Sequence, residues 1–173
     1  MGIEHIKKSI RNIPNFPKPG IQFKDITTLL QNNDAFGETI DFFYNTFKDK
    51  KIDAIVGIES RGFIFAAPLS LKLGCNFVMA RKPGKLPSDT ISEEYELEYG
   101  TDAIEMHKDA INDGDRVLIV DDLLATGGTA KATGSLVKRL EGNIVSYAFV
   151  IELVELNGAD LLDTKPVFSI VKY

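Results

Sequence analysis

Cysteine is nearly absent from this chain. Cys75 is the single one in 173 residues, so no intrachain disulfide is possible. No charged-apolar-small signal segment opens the sequence either, and a reducing cytoplasm is the expected compartment. Histidine is also scarce: His5 and His107 stand alone and far apart, which excludes a Cys/His zinc cluster. No apolar run approaches the length of a membrane span. Positive charge is in deficit: 20 Lys and Arg against 25 Asp and Glu leave a net charge of −5. That argues against nucleic acid or an anionic membrane as the main partner. No repeat, low-complexity tract or linker divides the chain, so residues 1–173 are expected to form a single domain with a sizeable core. Cys75 follows Lys72-Leu73-Gly74 at an expected helix end and reads as a packed thiol, not a nucleophile.

Against this ordinary background one stretch stands out, running from Arg116 to Thr129. Residues 117–120 are four aliphatic residues, mostly β-branched, which reads as a strand buried on both faces of a parallel sheet. The run stops at Asp121 and Asp122. An unpaired buried carboxylate is very costly, so neither is expected to be fully buried, and both are placed at the strand's carboxyl end. Ala125-Thr126-Gly127-Gly128-Thr129 follows, and then residues 130–140 at helical spacing. Small residues between strand and helix let backbone N–H groups converge on an anion, with the helix N-terminus and Thr hydroxyls adding to the attraction. A phosphate monoester suits that geometry. The Lys-bearing loop of nucleotide triphosphatases is missing, and the acids precede the glycines, unlike a dinucleotide fingerprint.

This segment resembles the phosphoribosyl diphosphate (PRPP) binding motif of the type I phosphoribosyltransferases. In its Asp-Asp-Leu-Leu-Ala-Thr-Gly-Gly-Thr form it resembles that of the adenine phosphoribosyltransferases. The resemblance implies that Asp121 and Asp122 face the ribose hydroxyls and that Ala125, Thr126, Gly127, Gly128 and Thr129 cradle the 5′-phosphate.

The rest of the chain reads around that site. Ile3, Ile6, Lys7 and Ile10 fit a short amphipathic helix ending near Pro14. Phe16-Pro17-Lys18-Pro19-Gly20-Ile21-Gln22-Phe23 carries two prolines and a glycine in four positions, which forbid regular structure there. Such a segment is either a loop packed on the core or a stiff ledge that stacks on a flat base. The resemblance implies the ledge: Phe23 stacks on the purine, while backbone groups at Gln22 and Lys24 read its edge. Lys24 stands where the family usually has Arg, and the two are not equivalent if the guanidinium itself makes the contact.

Residues 34–48 read as a helix with Asp34 as N-cap, because Phe36, Ile40, Phe43 and Phe47 recur at helical intervals. Residues 53–58 read as a strand and residues 63–73 as a helix containing Pro68. Between them lies Glu59-Ser60-Arg61-Gly62. Arg61 there is either a cap or, beside a phosphate cradle, a forked anchor for pyrophosphate. The resemblance implies that Glu59, Ser60 and Arg61 bind pyrophosphate, with a cis peptide between Glu59 and Ser60. Residues 76–80 read as a strand leading to Arg81-Lys82-Pro83-Gly84-Lys85. That is either a solvated loop or a cationic rim for the leaving group. The resemblance implies that Arg81, Lys82 and Lys85 hold pyrophosphate, partly across a dimer interface.

Tyr95, Leu97 and Tyr99 alternate with acids at a strand-like period. Four carboxylates in such a run are usually a wet face, and the segment at about 82–102 reads as a flap. The resemblance singles out Glu98 as the group beside N7 of adenine and Tyr99 as closing over the diphosphate. Residues 103–106 read as a further strand, 144–153 as another, 156–162 as a short helix and 167–171 as a closing strand.

The resemblance covers essentially the whole chain, with five motifs in family order. It implies a Rossmann-like α/β fold, mostly parallel and flanked by helices, with a small hood from residues 1–30. It implies an enzyme of purine salvage that makes AMP and pyrophosphate from adenine and PRPP, with Mg2+ carried mainly through PRPP and a homodimer as the assembly. A phosphoribosyltransferase for another purine base remains an alternative. So does a PRPP- or purine-sensing regulator on the same fold, although the chain has neither room nor basic charge for a DNA-binding domain.

Overall fold

The computed structural model describes residues 2–97, 100–163 and 166–173. The chain opens with α1 (Ile3–Ser9), β1 (Arg11–Pro14), β2 (Gln22–Asp25), α2 (Thr27–Leu30) and α3 (Asn33–Phe47). It continues through β3 (Ala54–Ile58), α4 (Arg61–Leu73), β4 (Asn76–Ala80), β5 (Thr90–Glu96) and β6 (Thr101–His107). It ends with β7 (Arg116–Leu124), α5 (Gly128–Arg139), β8 (Asn143–Glu152), two 3₁₀ turns (Val154–Leu156 and Gly158–Leu161) and β9 (Phe168–Lys172).

Five strands form one sheet in the order β4-β3-β7-β8-β9, and every pairing in it is parallel. Successive side chains on a strand point to opposite faces, which divides the core in two. Ile55, Leu118, Val120 and Val150 pack with Phe43, Phe65 and Leu69 on one face. Val56, Val117, Ile119 and Phe149 pack with Leu136 and Val137 on the other. Two covered faces explain why the central strands read as continuous apolar runs.

From β3 the sheet grows outward through α4 to β4, and from β7 it grows the other way through α5 to β8. The winding therefore reverses between β3 and β7. Open α/β sheets bind ligands at the carboxyl ends of strands at such a switch point. The turn after β3 and the acidic turn of β7 both lie there.

Several boundaries differ from the sequence reading for local reasons. The strand expected at 117–120 extends to Leu124. It loses β3 at the Gly57–Val120 pair but keeps β8 through Leu123–Ile151 and Leu124–Glu152. The first helix stops at Ser9, and β1 pairs antiparallel with β2, so part of the proline-rich segment is regular after all. Pro17, Pro19 and Gly20 fall in the connecting loop, where no ladder hydrogen bond is required of them. The cap of α3 is Asn32, whose side chain accepts from the Ala35 N–H at 3.1 Å, and Asp34 lies in the first turn. The helix expected at 63–73 begins two residues earlier, at Arg61. Residues 103–106 belong to β6, which folds back on β5 as an antiparallel hairpin and meets β4's end through one Arg81–Glu105 bridge. The short helix expected at 156–162 is two 3₁₀ turns.

Candidate active site

Gly62 determines how the two switch-point turns meet. A Cβ there would lie 2.8 Å from the Val120 carbonyl oxygen and 2.9 Å from Asp121 Oδ1. Only a residue without a side chain lets the first turn of α4 press on the end of β7. That approach delivers Arg61 to the acid pair, with its Nε 3.0 Å from Asp122 Oδ2. The Glu59–Ser60 peptide just before it is cis, as the resemblance implied.

Asp122 is buried, contrary to the expectation that neither acid would be. The reason is Arg61, which supplies the opposite charge that burial demands. The Asp122 N–H also donates to Asp121 Oδ1 at 2.8 Å. Burial, and then the neighbouring Asp122, push the Asp121 carboxyl well above its ordinary value. Burial raises Asp122 as well, and Arg61 opposes the rise. Although Arg61 is within ion-pair distance, Asp122 Oδ2 accepts no hydrogen bond among the described residues.

The cradle follows directly. Residues 125–127 connect β7 to α5, Gly128 and Thr129 open the helix, and Gly127 caps it in the left-handed region, with φ 84°. Asp121 and residues 123–130 line a cavity of about 100 Å3, together with Phe149. The first N–H groups of α5 have no partner within the helix and open onto the loop. Tyr95 of the β5–β6 hairpin covers the other side of the helix start: a Cβ on Gly128 would lie 3.4 Å from its ring.

The cations after β4 are present but already engaged. Arg81 Nε lies 3.3 Å from Glu59 Oε2, the Lys82 N–H donates to the same oxygen at 2.8 Å, and Lys85 pairs with Glu59 Oε1. Burial works against ionising Glu59, but Lys85, the Lys82 N–H and Arg81 outweigh it and hold the carboxyl below its ordinary value. Glu59 is thus the acid that gathers these cations. The Lys82 ammonium pairs with Asp102 and donates to Tyr95 Oη at 2.8 Å. Burial opposes the charge on Lys82, yet Asp102 and Tyr95 raise its pKa.

The β1–β2 hairpin adds the third wall. Phe23 is half-buried, with Phe16 edge-on at 5.2 Å and the Arg61 guanidinium 5.7 Å from its ring centroid. Arg61 therefore touches both the aromatic ledge and the acid pair. The side chains of Gln22 and Lys24 turn to Asn12: Asn12 Nδ2 donates to Gln22 Oε1 at 2.7 Å, and Lys24 Nζ donates to Asn12 Oδ1 at 3.0 Å. Lys24 Nζ also lies 4.0 Å from the centroid of the Tyr173 ring.

The structure thus brings Phe23, Arg61, Asp121, Asp122 and residues 125–129 into one crevice, with the Glu59-centred cations beside it. Glu98 and Tyr99 lie outside the described residues. Sequence reasoning missed Gly62, Asp102 and Tyr173. Gly62 was visible next to Arg61, but its role depends on a contact sixty residues away. Nothing local marks the other two.

Comparison with known proteins agrees with this geometry. Residues 25–171 match the model of the phosphoribosyl transferase domain, and the chain belongs to that family of transferases. An adenine phosphoribosyltransferase of Chloroflexus aurantiacus is 56% identical over 164 residues, covering 95% of each chain. The crystal structure of the adenine phosphoribosyltransferase from Thermoanaerobacter pseudethanolicus superposes with a TM-score of 0.95 at 51% identity, covering 99% of each chain. That from Saccharomyces cerevisiae, complexed with an imino-altritol bisphosphate and adenine, gives 0.93 at 45% identity over 98% of each chain. Within the family, the chain is an adenine phosphoribosyltransferase.

Proposed function

We propose that the chain works in purine salvage, transferring the 5-phosphoribosyl group of PRPP to adenine and releasing AMP and pyrophosphate. The observation that carries this is the crevice at the ends of β3 and β7. There an aromatic ledge, an acid pair and a small-residue phosphate cradle converge on Arg61 in a member of this family.

The bond from C1′ to the diphosphate breaks as N9 of adenine approaches. The sugar becomes oxocarbenium-like, and the diphosphate leaves with the electron pair. The chain's tasks are to hold the sugar, receive the leaving charge and align the base. Residues 125–129 grip the 5′-phosphate. Asp121 and Asp122 take the ribose hydroxyls and face the developing positive charge. Ser60, Arg61, Arg81, Lys82, Lys85 and Tyr99 receive the diphosphate, with Arg81, Lys82 and Lys85 exchanging Glu59 and Asp102 for phosphate oxygens. Phe23 stacks on the base, and backbone groups at Gln22 and Lys24 read its edge. Glu98 acts at N7 as a general acid or hydrogen-bond partner, which makes N9 the nucleophile.

Mg2+ bound with PRPP supplies further neutralisation of the diphosphate. Asp121 and Asp122 would be the protein groups that meet an ion carried on the substrate's oxygens. Two carboxylates lie at the ribose end, one with an oxygen that accepts no hydrogen bond among the described residues. The hood of residues 1–30 and the flap around 82–102 serve as covers of one domain, and the enzyme acts in the cytoplasm.

The assembly is a homodimer. Ile64 and Leu71 on α4 and Phe77 and Met79 on β4 are exposed apolar side chains, and such surface suits a second copy of the chain. Sedimentation reads this directly, and a monomer at working concentration would contradict it.

Glu98→Leu tests the chemistry. Turnover is expected to fall far more than PRPP binding, by roughly 100-fold or more. Unchanged turnover would remove Glu98 from the reaction.

A further inference from the structure

The connection between β8 and β9 carries no residue assigned to the site, yet it touches the phosphate cradle from behind. After the first 3₁₀ turn, Asn157 adopts φ 53° and Gly158 starts the second. Gly158 is buried. A Cβ built on it would fall well inside contact distance of the Ala125 carbonyl oxygen, and 3.0 Å from both Ala125 C and Gly127 N. In return, a Cβ on Gly127 would lie 2.5 Å from the Gly158 carbonyl oxygen and 3.2 Å from its carbon. Every one of these atoms is backbone, so none can swing aside as a side-chain tip would. Gly158 is not among the glycines at positive φ. Its glycine is required by the space and not by its own conformation. The same connection is fastened to β7, because the Leu153 N–H donates to the Leu124 carbonyl at 2.9 Å.

We infer that Gly158 is a positioning residue for the 5′-phosphate site: its bare backbone is the back wall against which residues 125–127 take the shape that grips the phosphate. This rests on reading residues 125–129 as the phosphate cradle. Gly127 turns in the left-handed region with its outer side toward the cavity. The strand end fixes Ala125, and Gly158 fixes the side of the loop away from the ligand. A methyl at 158 would push the Ala125 carbonyl and the Gly127 amide toward the place the phosphate occupies.

The test is Gly158→Ala, compared with the unaltered protein in steady-state kinetics and in calorimetric binding of ribose 5-phosphate. KM for PRPP is expected to rise and ribose 5-phosphate affinity to fall, both by roughly tenfold to a hundredfold for a displacement of this kind. The KM for adenine and kcat at saturating PRPP should change little. A variant with a lower melting temperature and fewer active molecules, but an unchanged KM for PRPP, would overturn the inference.

Hydrogen exchange on the unaltered protein gives a second reading if the variant does not fold. Ribose 5-phosphate should then slow exchange at the amides of residues 157–161 along with those of the cradle. Slowing at the cradle alone would overturn the inference. Should the unaltered chain not bind ribose 5-phosphate, or bind it no less tightly as Gly127→Val, the cradle reading itself falls and this inference with it. If those two behave as expected and Gly158→Ala binds like the unaltered chain, only the inference falls.

Discussion

Asp121 and Asp122 lie side by side near the end of a buried strand, where burial and the neighbouring Asp122 make ionising Asp121 harder. A carboxyl raised above its unfolded value penalises the fold when ionised. The penalty is full above the folded value, shrinks as pH falls below it and is gone below the unfolded value. Asp121 is such a group. Asp121→Asn is therefore expected to raise the melting temperature of the ligand-free protein at mildly alkaline pH, with a gain that shrinks as the solution is acidified. It should also weaken PRPP binding, the exchange of stability for function common at active sites. Melting curves across pH check the first outcome, and an equal or lower melting temperature in alkali would count against it. The acids themselves were plain in the sequence, as was the run of small residues after them. The burial of Asp122 was not, because it depends on an arginine from another turn and on the bare Gly62 that admits it.

At the scale of the element, the parallel strands were legible because burial on both faces leaves an unbroken aliphatic run, as in Val117 to Val120. The hood strands were not. Two prolines and a glycine dominate the local pattern around Phe23, and the pairing of β1 with β2 is a non-local fact that relegates them to a loop. Similar reasoning applies to β6, whose partner lies across a hairpin and not in the main sheet.

The hood is held from outside by Tyr173. Its ring lies 4.0 Å from Lys24 Nζ and 5.2 Å from Lys7 Nζ, which ties α1 and β2 to the end of β9. Tyr173→Ala releases Lys24 and loosens the strand that carries Phe23. The KM for adenine is expected to rise roughly two- to tenfold, the scale of a lost cation–π contact, while the KM for PRPP stays in place. An unchanged adenine KM in steady-state assays would separate Tyr173 from base binding.

For the whole molecule, the decisive feature is the reversal of winding between β3 and β7. It brings the Arg61 turn and the phosphate cradle together from stretches of sequence some sixty residues apart. The hood closes the third side through Phe23. Against the net charge of −5, the cations clustered around Glu59 are a local exception, and the proposed function places the anionic leaving group there. In the proposed function, specificity for the base is assigned to the hood and chemistry on the sugar to the sheet. The most direct measurement is therefore pyrophosphate release from PRPP and Mg2+ with adenine, guanine, hypoxanthine and uracil in parallel. The account predicts rapid release with adenine and little with the other three. Comparable release with hypoxanthine or guanine, or none with adenine, would contradict it.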